Sequence, residues 1–396
     1  MVPNVPNWKQ KLFKNILKLD RGSSPRPIVD FMTEDDDGVN WIKIGDTKKG
    51  ELYINSTKEK ITPEGAKKSR KVSRGEIIVS NSMSYGQPYI LNIDGYIHDG
   101  WFVIRNYEKD FDKEFLLQLL GSELIQRQYK RLAAGGVVSN ISSELVYAVR
   151  VALPPLPEQQ KIAKILSTWD KAIATTEKLI ATSQQQKKAL MQQLLTGKKR
   201  LVNPETGKVF EGNWEEVKLG DLFKLSSGDK KPDDVESIQS QNNKYPVYGG
   251  NNIMGYSSEY NSDCSVILIG RVGEYCGVTR LVTNKCWVTD NALYTKSISN
   301  DVCNEFLTYQ LKQYDLSRLR NKGGQPLISQ KPIYGVNIGL PVLNEQQKIA
   351  SVLTAADKEI ELLQAKLAHI QDEKKALMQQ LLTGKRRVKV EAMEMA

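Results

Sequence analysis

The residues able to do chemistry fall into cationic, aromatic and amide-rich loops. In the first half, Lys67, Lys68, Arg70, Lys71 and Arg74 come in quick succession, followed by Ser82, Tyr85 and Gln87. Arg127, Lys130 and Arg131 then precede Gly135 and Gly136. In the second half, Tyr245, Tyr248, Asn251, Arg271 and Arg280 come first. Arg318, Arg320 and Lys322 follow, then Gly323, Gly324, Gln325 and Lys331. Guanidinium and ammonium groups suit phosphates and guanine edges, and side-chain amides suit adenine edges. The clusters that end in Gly-Gly rank first, because that pattern occurs in both halves. A run of charge is also how a solvated face reads, so residue type alone makes none of these a contact.

No reaction centre accompanies them. The two histidines are His98, which reads as structural, and His369, on a helical stretch. There is no GxxxxGK[ST] phosphate loop and no HExxH. Asn203-Pro204-Glu205-Thr206 is not the Asn-Pro-Pro-aromatic stretch of an amino-methyltransferase, and Pro232-Asp233-Asp234 with Glu236 lacks a nuclease's Glu-x-Lys. Glu34 to Asp37 reads as a loop. Cys264, Cys276, Cys286 and Cys303 form no CxxC pair and read as reduced thiols. The chain is expected to hold no catalytic, cofactor-binding or metal-ligating residue.

A chain of 396 residues suggests two or three domains. Hydrophobic residues make up 40%, which excludes a wholly disordered chain. Lys plus Arg is 56 and Asp plus Glu is 46, a net charge of +10 that favours an anionic partner. The longest strongly apolar run, Val266 to Ile269, is too short for a membrane span, and Met1 to Lys11 has no apolar signal core. A cytoplasmic location without membrane contact is expected.

What positions the loops is a repeat. Pro154–Arg200 aligns with Pro341–Arg387 at a constant offset of 187 residues, most positions being identical. Glu158-Gln159-Gln160-Lys161-Ile162-Ala163 returns from Glu345 to Ala350, and KKALMQQLLTGK runs unchanged from Lys187 and from Lys374. Upstream the halves share only echoes. Trp8, Leu19 and Gly22 match Trp214, Leu225 and Gly228; Asp99 matches Asp290; Glu114-Phe115-Leu116 matches Glu305-Phe306-Leu307. The expected divisions are a first globular domain at 1–153, a helix at 154–200, a linker at 201–213, a second globular domain at 214–340, and a helix with a basic tail at 341–396.

Within the repeats, apolar residues alternate in steps of four and three. They run Ile162, Leu166, Trp169, Ile173 and on to Leu194, and again Ile349, Leu353, Ala356, Ile360 and on to Leu381. That period is a coiled-coil seam, in which Lys187 and Lys374 are charged slots. Pro154, Pro155 and Pro157 end the preceding strand, and the charge of Glu158 suits a helix N-terminus. Gly197 and Gly384 suit C-caps, and the basic residues after them suit a helix C-terminus. Each helix of about 39 residues would be roughly 58 Å long. Helices so connected would pack antiparallel, in a pseudo-two-fold, nearly circular arrangement. Packing explains the Leu and Ile positions. It does not explain why exposed Gln192-Gln193 and Gln379-Gln380 repeat, which points to two copies of one partner.

Both globular domains read as mixtures of short strands and a late helix, so the fold class is α+β. Strands are expected at 76–80, 90–93, 102–104, 265–269, 278–282 and 287–289. Late helices are expected at Phe111 to Leu132 and Cys303 to Leu319.

Two variable domains alternating with two similar long helices resemble the specificity subunit of type I restriction–modification systems. The segments that carry the likeness are Pro155 to Ala163 with its echo at Leu343 to Ala350, the Leu-Leu-Thr-Gly-Lys endings at Leu194 and Leu381, and the Trp8 and Trp214 openings. Asn344 stands where the pattern has the proline seen at Pro157. The resemblance implies that each globular domain is a target-recognition domain reading half of a bipartite double-stranded DNA site. The helices would set the unread gap. Two modification (methyltransferase) subunits would bind the repeated helical surfaces, supplying S-adenosylmethionine chemistry on adenines. Two restriction subunits would add ATP- and Mg²⁺-dependent translocation and cleavage. Two other readings compete: a coiled-coil adaptor touching DNA by charge alone, and a free-standing nuclease or methyltransferase.

Overall fold

The structure is a computed structural model that describes residues 5–47, 50–81, 86–132, 141–250, 252–321 and 323–390. It divides into two compact units. The first comprises Met1–Thr176 with Lys366–Ala396, and the second Glu177–Ala365. Each unit therefore holds the start of one long helix and the end of the other.

The long helices span Leu156–Leu194 and Leu343–Leu381, 39 residues each. Their seam residues are buried or half-buried, and seam burial is deepest near the ends, at Ile162, Leu166, Leu194, Ile349, Leu353 and Leu381. Within each unit the two pieces run antiparallel. In the first unit Asp170 meets Lys374 while Glu158 meets Arg387; in the second, Lys187 meets Asp357 while Arg200 meets Glu345. The lysines in the charged seam slots are thus the cationic halves of interhelical ion pairs.

The core of the first unit lies under a central sheet ordered Lys18–Arg21, Trp101–Arg105, Ile77–Ser80, Pro88–Leu91, Tyr53–Ile54. Ile77 to Ser80 is buried throughout, as the apolar run Ile77 to Val79 requires. A second five-stranded sheet packs Trp41 and Ile61 beneath it. The second unit repeats the central sheet as Phe223–Ser227, Ala292–Ile298, Val266–Gly270, Thr279–Val282. Its companion has three strands, Ile253–Ser257, Tyr245–Tyr248 and Trp287–Val288.

In both units the first strand pairs with the last before a long helix: Lys9–Leu12 with Arg150–Leu153, and Glu215–Lys218 with Asn337–Leu340. The late helices differ from expectation. The first breaks at Gly121-Ser122 into Lys113–Leu120 and Glu123–Leu132. The second, Asn304–Tyr314, stops where Asp315 turns left-handed (φ 60°), and a short 3-10 turn at Leu316–Leu319 follows. Among the described residues, no helix is long and apolar enough to cross a membrane.

Candidate nucleic-acid interface

Each central sheet has two ends, and the repeat belongs to one of them. After Arg105 the chain reaches Asp110–Asp112, where the side chain of Gln159 holds it. The Asp112 N–H donates to Gln159 Oε1 at 2.9 Å, and Gln159 Nε2 donates to the carbonyls of Asp110 and Pro154 at 2.9 and 3.0 Å. Gln346 does the same in the second unit, accepting from Cys303 N–H at 2.8 Å and donating to Asp301 and Pro341.

Beside each glutamine a buried glutamate fastens the other helix. Glu158 accepts two bonds from Arg387, at 2.6 and 2.8 Å, and one from Trp8 Nε1 at 3.1 Å. Glu345 accepts two from Arg200, at 2.6 and 2.7 Å, and one from Trp214 Nε1 at 3.3 Å. Gly197 and Gly384, at φ 70° and 69°, end the helices so that these arginines can turn back. Glu158 stands in the first turn of its helix, where its charge suits the dipole, and it also forms an ion pair with Arg387, since a buried carboxylate needs a charged partner.

The echoes upstream of the repeat fall at both ends of the central sheets: Leu19 and Leu225 bond to tyrosines that follow the late helices, whereas the N–H groups of Gly22 and Gly228 donate to Trp101 O and Ala292 O at the end opposite the clamp. Leu19 N–H donates to Tyr147 Oη at 2.9 Å, and Leu225 N–H to Tyr334 Oη at 2.7 Å. Gly22 and Gly228 pass so close to the carbonyls of His98 and Thr289 that a Cβ would sit 1.9 and 2.3 Å from them. Phe115 and Phe306 are fully buried.

The opposite end of each sheet carries the unlike loops. A five-residue strand such as Trp101–Arg105 puts the two ends roughly 16 Å apart. In the second unit, Arg271 leaves the central strand there. Its N–H donates to the Asn291 carbonyl at 2.9 Å, its own carbonyl accepts from Ile328 N–H at 2.9 Å, and its guanidinium donates to Ser227 Oγ at 2.9 Å. Gly273 N–H donates to Pro326 O at 2.9 Å, and Val272 bridges Leu327. The segment after Arg271 and the segment with Arg318, Arg320, Gly323, Gly324 and Gln325 thus form one stitched edge. Lys331 lies on the short helix Gln330–Tyr334 that follows. Arg280 donates to Asn252 Oδ1 at 2.6 Å, its guanidinium 5.9 Å from the Tyr248 ring centre.

The first unit builds its edge from the same bonds. Asn81 N–H donates to Gly100 O at 2.9 Å, and Asn81 O accepts from Ile141 N–H at 2.6 Å. Asp99 sits beside it, and a hydrogen bond from Ser24 holds its carboxyl below the ordinary range. The His98 ring packs between Trp41 and Trp101, and burial lowers its pKa, consistent with a structural residue.

The predicted contacts of the first unit are not brought together. Lys67 and Lys68 end a short helix, where the Lys68 carbonyl bonds Ser23, and Arg70 donates to Arg21 O at 3.1 Å, both near the Asn81 edge. Lys71, whose carbonyl accepts from Arg105, and Arg74, whose N–H donates to Asp94, lie toward the other end. Arg127 pairs with Glu123 at 2.8 Å and, with Arg131, lines a groove against the second long helix. Lys130 is exposed. Ser82, Tyr85, Gly135, Gly136, Asn251 and Lys322 lie outside the described residues.

Of the repeated amides, Gln192, Gln193, Gln379 and Gln380 are all exposed, and Gln379 donates to Glu123 at 3.1 Å. Sequence reasoning missed Asn81, Ser227 and Leu327 at the edges. It also missed Tyr147 with Tyr334 and Asp170 with Asp357, although both pairs share the 187-residue offset. Among the described residues, no group of three or more His, Cys, Asp or Glu side chains could hold a metal ion.

Fold and clamps together define a chain built twice on one plan, with unlike loop edges on like helical anchors. The family described as the type I restriction modification DNA specificity domain matches residues 7–183 and 211–372, and the chain belongs to it. A Methanocaldococcus jannaschii chain named as the specificity subunit of type I restriction enzyme MjaX is 31% identical over 307 residues, 72% of this chain and 71% of that one. The MjaVIII specificity subunit of the same organism is 26% identical over 380 residues, 82% of this chain and 84% of that one. The crystal structure of an S subunit from M. genitalium superposes with a TM-score of 0.63 at 16% identity, over 96% of this chain and 99% of that chain.

Proposed function

We propose that this chain is the DNA-reading, non-catalytic subunit of a cytoplasmic type I restriction–modification assembly, each unit reading one half of a bipartite site. The observation that carries the reading is the division of labour within each unit. One end of the central sheet is fixed by a repeated Trp–Glu–Arg and Gln clamp. The other presents loops that differ between the units while keeping the same backbone stitching. The loop edge of the second unit gathers Arg271, Arg318, Arg320 and Gln325, residue types suited to phosphates and base edges. The long helices set the unread gap and dock two modification subunits through the faces carrying Gln192, Gln193, Gln379 and Gln380. S-adenosylmethionine chemistry belongs to those subunits, and ATP and Mg²⁺ chemistry to two restriction subunits.

The test is binding to a duplex carrying the site that the assembly methylates, against a scrambled duplex, across a salt titration. The reading expects a sequence preference, and a shallower salt slope when Arg318 and Arg320 are reversed to Glu. Equal affinity for both duplexes overturns it in favour of an adaptor.

A further inference from the structure

Two exposed apolar side chains stand on the loop edge of the second unit, among its arginines. Tyr275, on the hairpin that joins Val266–Gly270 to Thr279–Val282, is 45% exposed, and Leu327 is 38% exposed. Each comes immediately before a sealed residue, Cys276 or Ile328, and those two belong to one core. Side chains alternate along extended backbone, so the burial of Ile328 turns Leu327 outward. The backbone of Leu327 is fixed from two sides. Its N–H donates to Asn321 Oδ1 at 2.8 Å, its carbonyl accepts from Asn321 N–H at 3.0 Å, and Val272 of the hairpin bridges it. Below Tyr275, the Cys276 thiol donates to the Arg271 carbonyl at 3.3 Å. Burial pushes that thiol up while the charge of Arg320 works against it, which places Arg320 beside the hairpin.

We propose that Leu327 and Tyr275 read the 5-methyl groups of thymines in one half of the DNA site; this deepens the function proposed above and rests on it. Three observations select that group. The bridge between Val272 and Leu327 makes the edge two chains thick. A paired ribbon of that kind enters the major groove, about 12 Å wide, and not the minor groove, about 6 Å wide. Among the base edges in the major groove, the thymine methyl is the apolar feature, and an apolar side chain is what reads it. Glu274, exposed next to Tyr275, is repelled by phosphates. The hairpin tip therefore falls among base edges, and the phosphates fall to Arg271, Arg318 and Arg320.

The experiment uses the chain assembled with its modification subunits and a duplex carrying the mapped site. Each thymine of the site is replaced in turn by deoxyuridine, which lacks only the methyl, and binding is measured by equilibrium titration. One or two positions are expected to weaken binding about fourfold each, the worth of one buried methyl. At such a position Leu327→Ala should bind thymine and deoxyuridine alike, and Leu327→Met should keep the preference. Without any substitution in the protein, 5-bromodeoxyuridine at that position, irradiated in the complex, should crosslink to the peptide that carries Tyr275.

A site without thymine, indifference to deoxyuridine throughout, a preference that survives Leu327→Ala at every affected position, or crosslinks only to other peptides overturns the inference. So does a rise in the fluorescence of 2-aminopurine beside the affected position that Leu327→Ala abolishes, since it marks a wedge between bases rather than a methyl contact. Equal affinity of the unsubstituted assembly for the site and for a scrambled duplex removes the proposed function itself. A clear site preference without methyl dependence removes only this inference.

Discussion

Single residues hold the two halves of each unit together, and their loss should be felt far from any DNA. Arg387 and Arg200 are the charged partners of carboxylates that are nearly sealed from solvent. Replacing either by Ala strands a buried charge, for which the expected cost is about 3–5 kcal/mol in urea unfolding. The hydroxyls of Tyr147 and Tyr334 do smaller work, each satisfying one strand N–H. Tyr147→Phe and Tyr334→Phe should each cost about 1 kcal/mol, and an unchanged unfolding midpoint would show that water replaces the bond. Acid sensitivity has a local source in the second unit. Hydrogen bonds from Ser257 and Ser258 hold Asp234 down at about 2, against an ordinary value of 3.8. A carboxylate depressed on folding contributes stability that is present above the unfolded value and lost as pH falls through the folded one. Unfolding of the intact chain measured from pH 5 to pH 2 should lose part of its pH slope in Asp234→Asn.

At the scale of elements, the long helices were legible in sequence almost to the residue, because a 3.5-residue apolar period has no strand counterpart. Their charged seam slots were legible as positions but not as pairs. Asp170 and Asp357 lie outside the seam pattern, and only the antiparallel packing within each unit brings Lys374 and Lys187 onto them. Exchanging the charges, with Asp170→Lys and Lys374→Asp together, should restore most of the stability that either change alone removes. The late helices were misjudged in length. Leu132 and Leu319 continue the apolar spacing, but Gly121-Ser122 and the left-handed Asp315 break the backbone first. The strands at 77–80 and 266–270 were visible from the apolar runs within them. The loop edges were only half visible. Residue type singled out Arg271 and Arg318, but their neighbourhood is made by backbone hydrogen bonds, which leave no mark in sequence.

For the whole molecule, the proposed function has two like anchors and two unlike edges suit one chain to a split, non-palindromic site. Inserting four residues into one long helix should change the gap between half-sites and leave the bases read in each half unchanged, as a selection from random-gap duplexes would reveal. The claim that each unit reads its own half is tested most directly by mapping methylated adenines across the genome in cells carrying the chain, and then with Arg271→Ala combined with Arg318→Ala. The account predicts a bipartite motif in which one half relaxes and the other stays intact. A motif altered equally in both halves, or unaltered in either, would contradict it.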